Sequence, residues 1–193
     1  SDWDYTPGTS NEVPFPGKGD SKTEVLFDSA EMAKHFGPGA ITQIRYPVVS
    51  NVSNSVHNRV VIKMRNVDNS FAYSSARYYS TDFQKLVYDS SLVITQNAST
   101  LGVIDLQDTF FYAGKGLMLT FYTDNTNSDP AAVNVRTFPA PNGSLTKGTL
   151  TKAYNVSTGV NVFTSSYFRT GNLISARPNF TLRVNPNPPL MYD

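Results

Sequence analysis

Hydrophobic and polar residues alternate along most of this chain with a period of two. In residues 59–67, Val60, Ile62 and Met64 fall on one face and Arg59, Val61, Lys63 and Arg65 on the other. Leu117, Leu119 and Phe121 alternate with Met118, Thr120 and Tyr122, and Phe180, Leu182 and Val184 alternate with Thr181 and Arg183. Weaker runs occur at 41–49, 86–95, 131–138 and 149–154, and residues 23–27 read as the first strand. Turn residues break the pattern every ten residues or so. That spacing predicts an all-β antiparallel β-sandwich with jelly-roll wiring. One short helix is expected at residues 28–36. Asp28 can cap it, with Glu31 three residues on completing a capping box, and Gly37 and Pro38 stop it. Ala33 and Phe36 are expected to seat it on one end of the sandwich.

Two segments lack the period. Residues 1–22 are rich in Pro, Gly and Ser yet carry Trp3, Tyr5, Val13 and Phe15, more apolar anchors than a solvated tail needs. They read as an extended arm lying on its own sandwich or on a neighbouring subunit. Residues 186–193 form a tail of similar composition, which leaves 23–185 as the sandwich domain.

Composition narrows the classes of function. At 193 residues the chain suffices for one domain with a sizeable core. A net charge of +1 gives no long-range field for nucleic acid. No apolar run is long enough for a membrane helix, and the absence of Cys excludes disulfides and thiolate metal sites. Richness in Ser, Thr and Asn, with only three Glu (Glu12, Glu24, Glu31), points to an extracellular or cell-surface chain built on turns. Asn-x-Ser/Thr sequons begin at Asn51, Asn97, Asn142, Asn155 and Asn179, as chance provides in such a composition.

Catalytic constellations are weak. His35 and His57 stand far apart in the sequence, His57 within a polar stretch that reads as a loop, and make neither a triad nor a zinc site. Asp105 and Asp108 read as strand-edge aspartates rather than a glycosidase pair. The stretch Asp124, Asn125, Asn127, Asp129 places hard oxygens where calcium could be held, although the Gly and terminal Glu of a calcium loop are missing and Asp and Asn are also ordinary turn residues. Tyr73, Arg77, Tyr78 and Tyr79 cluster in one loop and could stack sugar faces, or could cover the open end of the sandwich. Arg59, Lys63 and Arg65 read most simply as a charged face that discourages edge aggregation.

The order VLFD, a short helix ending in Gly-Pro-Gly, AITQIRYPVV, RVVIKMRNV, FQKLVYDSSLVI, GVIDLQDTFFYAGKGLMLTFYTDN and RPNFTLRV resembles the jelly-roll modules of secreted bacterial surface proteins. The Phe111-Tyr112-Ala113-Gly114 turn and the Arg177-Pro178 strand carry the resemblance most distinctly. It implies a secreted, non-catalytic sandwich, similar in shape to carbohydrate-binding domains. Two functions follow as expectations. The first is a structural or adhesive subunit of a surface layer, filament or virion coat, self-associating through sandwich and arm. The alternative is a monomeric carbohydrate-binding module that uses the tyrosine loop on glycans, with calcium ordering the Asp/Asn loop.

Overall fold

Strand-forming side chains fill both faces of the central strands, and the architecture follows from how those faces are covered. The computed structural model describes residues 10–11, 13–17, 19–78, 84–125, 130–154 and 161–186. The elements in chain order are β1 (Ser10–Asn11), β2 (Asp20–Phe27), α1 (Ser29–His35), β3 (Gly39–Pro47), β4 (Val52–Val67), β5 (Lys85–Gln96), β6 (Leu101–Tyr112) and β7 (Gly116–Asp124). They continue with β8 (Val135–Pro139), β9 (Thr149–Tyr154), β10 (Asn172–Ile174), β11 (Ala176–Pro178) and β12 (Thr181–Pro186). A six-stranded sheet runs β10-β9-β2-β7-β4-β5, a second sheet runs β12-β3-β6, and a third small sheet runs β1-β8-β11. Every pairing is antiparallel, so the chain is an all-β sandwich with one short helix.

The inner faces carry the residues that the alternation assigned to them. Val25, Phe27, Val60, Ile62, Met64, Leu119 and Phe121 pack with Ile41, Ile44, Ile104, Phe110, Phe180 and Leu182. Phe121 stacks on Phe180 with ring centroids 5.3 Å apart, a geometry that adds to the burial energy. The helix has the expected capping box: Glu31 N–H donates to Asp28 Oδ1 at 2.9 Å and Asp28 N–H to Glu31 Oε1 at 3.3 Å. Its buried residue is Met32, whereas Ala33 faces solvent, so Met32 with the partly buried Phe36 seats the helix.

The structure corrects some of these expectations and decides between the alternatives left open for the arm. The polar stretch around His57, expected as a loop, is the first half of β4, because Val52, Ser55 and His57 turn inward and are buried. The outward row of β7 (Met118, Thr120, Tyr122) is also buried, because segments 71–78 and 161–170 lie over that face as a third layer. The arm enters the core. Val13 is 4% exposed and Phe15 0%, with the Phe15 ring against Tyr46, His57 and Phe121. Gly17 allows this passage, since its φ of +94° suits glycine and a Cβ there would sit 2.6 Å from the Ala132 nitrogen. β2 begins at Asp20, ahead of the expected Thr23.

On one side the two main sheets meet without a ladder between them. Asp89 N–H on β5 donates to Gln107 Oε1 on β6 at 2.7 Å, and Lys85 Nζ donates to the Thr109 carbonyl at 2.7 Å. Lys85 also pairs with Asp108 at 3.4 Å. Side chains thus satisfy main-chain groups that an open edge would offer to another strand.

Candidate functional site

The outer face of the six-stranded sheet holds most of the chemistry on this chain. On β2 the outward positions Asp20, Lys22 and Glu24 are 3%, 8% and 0% exposed. Charged groups this deep require partners. Asn125 meets Asp20, and the segment 71–78 meets the other two strand positions: Tyr73 hydroxyl donates to Glu24 Oε1 at 2.8 Å and Tyr78 hydroxyl to the Lys22 backbone carbonyl at 2.8 Å. Lys22 Nζ lies 4.2 Å from the centre of the Tyr78 ring and 5.3 Å from that of Tyr122. Burial pushes the Tyr73 and Tyr78 hydroxyls well above the usual tyrosine value, with the Glu24 charge adding to the effect. Burial likewise lowers the Lys22 ammonium, while Glu24 works the other way.

Tyr73 and Tyr78 therefore serve as pins for the covering layer. At 4% and 8% exposed they present no face for a sugar to stack on, which corrects their place in the expected ligand patch. Arg77, between them, is exposed and bridges Thr170 through the backbone. Tyr79 lies outside the described residues. Backbone bonds from Tyr73 to Thr146, Tyr78 to Arg169 and Gly171 to Ala76 hold this segment against its neighbours.

At the end of the same face, Asp124 and Asn125 close β7. Asn125 is 1% exposed and fully engaged: its N–H donates to Asp20 Oδ1 at 2.9 Å, its Oδ1 accepts the Asn58 N–H at 3.0 Å, and its Nδ2 lies 3.3 Å from His57 Nδ1. His57 in turn meets Ser55 Oγ at 3.1 Å. Burial, reinforced by the neighbouring Asp124, raises the Asp20 carboxyl to about 6, against the pull of the Asn125 N–H. Burial lowers His57 to about 4. Asn125 thus works as an internal clamp. Asn127 and Asp129 lie outside the described residues, and among the described residues no group of three or more acids and histidines is placed to hold a metal.

Of the expected arm contacts, Val13 and Phe15 are core residues of this chain, which takes them out of reach of a neighbour's pocket; Trp3 and Tyr5 lie outside the described residues. Asp105 accepts from Gln43 Nε2 at 2.6 Å, and Asp108 pairs with Lys85, both at the surface.

Two features escaped the sequence reading. The first is a line of exposed apolar side chains along the junction of β5 and β6: Leu86 47%, Val93 55%, Leu101 41%, Val103 46% and Phe111 54%. The contacts of Lys85 with Thr109 and Asp89 with Gln107 bring the two strands side by side. The second is Phe163 and Tyr167, 37% and 38% exposed, beside Arg59 and Lys152. Their signal was an aromatic cluster next to Arg169 in a stretch without strand period. At the rim of the same face a small cleft of about 180 Å³ is lined by Arg65, Asn66, Val67, Asp68, Ser70 and Phe71.

No helix among the described residues is long and apolar enough to cross a membrane. No protein-family model matches the chain, and comparison with curated proteins and with solved structures gives no significant match.

Proposed function

We propose that this chain is a non-catalytic structural subunit of an extracellular assembly, self-associating through the β5–β6 side of its sandwich. The observation that carries the reading is the line Leu86, Val93, Leu101, Val103 and Phe111, each more than 40% exposed on two adjoining strands. Single exposed apolar residues are normal, but five of them on two adjoining strands favour burial against another surface. The bonds from Gln107 and Lys85 occupy the strand edges there. Association on this side therefore proceeds by side-chain packing rather than by strand addition. The strand orders β2-β7-β4-β5 and β12-β3-β6, in which most spatial neighbours are distant in sequence, support the jelly-roll wiring expected for such subunits. Burial of Tyr73 and Tyr78 weighs against the alternative of a sugar platform on the tyrosine loop.

Light scattering over a concentration series tests the reading. The expected result is a species heavier than the 21.2 kDa chain, reduced to that mass by Val93→Lys with Val103→Lys. A wild-type monomer at every concentration overturns it, as does an oligomer that the double change leaves intact.

A further inference from the structure

The outer face of the six-stranded sheet bears a charge out of proportion to the chain's net +1. Arg59, Lys63 and Arg65 project from β4, Lys152 from β9, and Arg77 and Arg169 from the covering layer, with Lys22 buried beneath it, against Asp89 and Asp124 and the buried Asp20 and Glu24. Arg59 is engaged by Asp89 through two 2.9 Å bonds. Among the described residues, none of Lys63, Arg77, Lys152 and Arg169 makes an ion pair. The cations alternate with rings. Arg59 lies 4.9 Å from the centre of Phe163, Lys152 Nζ 4.0 Å from that of Tyr167, and Lys63 Nζ 5.6 Å from that of Tyr122. Phe163 and Tyr167 remain more than a third exposed.

We infer that this face binds an acidic polysaccharide, a polymer carrying a carboxylate on its sugar rings. The exposed rings offer apolar surface to pyranose faces, and the flanking ammonium and guanidinium groups meet the carboxylates. Charge complementarity selects an anionic partner. Cations interleaved with rings, and not densely clustered, disfavour nucleic acid, whose affinity comes mainly from dense phosphate neutralisation. The cations and rings invoked here are not the residues of the proposed self-association, although Leu86 is the cross-strand neighbour of Lys63 on the same face.

Affinity electrophoresis of the intact chain in gels containing polygalacturonate tests it, with a neutral galactan gel and a labelled oligothymidylate as comparators. The expected result is retardation by polygalacturonate that weakens with added salt, and none by galactan. Lys152→Gln with Arg169→Gln should weaken retention ~10-fold at low salt, a loss of about 1.4 kcal/mol. Phe163→Ser with Tyr167→Ser should weaken it at low and high salt alike, since stacking is little screened. Circular dichroism melting confirms that each variant folds, and Arg77→Gln provides a further surface change if one does not. Absence of retardation, equal retardation by galactan, tighter binding of the oligothymidylate, or retention indifferent to both double changes would each overturn the inference.

Discussion

Asp20 and His57 are joined through one residue, Asn125, by its backbone N–H and its side-chain amide respectively, and have opposite proton preferences. The carboxyl of Asp20 sits near 6 in the folded chain against an ordinary 3.8, so its stabilising contribution is complete below 3.8 and is lost as pH rises through about 6. The imidazole of His57 sits near 4 against an ordinary 6.5, so its contribution is present above 6.5 and is lost as pH falls toward 4. Each slope is about 1.4 kcal/mol per pH unit, and between about 4 and 6 the two oppose. Asp20→Asn keeps the acceptor for Asn125 N–H and removes the ionisation. That variant should be more stable than wild type at pH 7 and should lose stability steadily from pH 6.5 to 4. His57→Gln should show the reverse slope, gaining stability toward pH 4. Urea midpoints at four pH values decide it: parallel profiles for all three chains would refute the opposed pair.

Among the elements, the covering segment 71–78 and helix α1 are each tied down in part by a buried side chain that one substitution removes. Tyr73→Phe takes a hydroxyl from Glu24, which is 0% exposed, and should cost about 1–3 kcal/mol in thermal unfolding. Arg177, 1% exposed, links the helix to β11 by donating to Glu31 Oε1 at 2.6 Å and to the carbonyls of Leu26 and Pro139, with its guanidinium 4.5 Å from the Phe138 ring. Arg177→Ala strands the Glu31 charge and should cost about 3–5 kcal/mol. A change within 0.5 kcal/mol at either position would show that the bond carries no net stability. The helix was legible because its cap is a local pattern read from four residues. The tyrosine segment was legible as a cluster and illegible in role. Whether a ring stacks a ligand or pins a buried Glu24 depends on a β2 residue 49 positions away in sequence.

For the whole molecule, the alternating pattern carried the inner sandwich, since each β-face announces itself every second residue. It could not carry the third layer, whose segments 71–78 and 161–170 have no period of their own and bury β7 from outside. Nor could it tell that Val13 and Phe15 complete the core, because an apolar residue among prolines and glycines reads the same on its own sandwich as on a neighbour's. The structure places both within, so removing residues 1–22 also cuts into β2. That deletion should lower the melting temperature or abolish folding, and Phe15→Ala alone should cost about 3–5 kcal/mol. A truncated chain that melts as wild type would place the stability of the sandwich elsewhere.

At the β5–β6 junction side chains such as Gln107 and Lys85 stand in place of a backbone ladder. Parting it breaks a few bonds from flexible side chains, with no cooperative ladder to unzip, so local opening precedes global unfolding there. Opening uncovers two twelve-residue strands with apolar side chains along their length. On heating, the chain is then set to fail by gelation or fibre growth, with a cross-β repeat seeded at this junction, before the core of the sandwich melts.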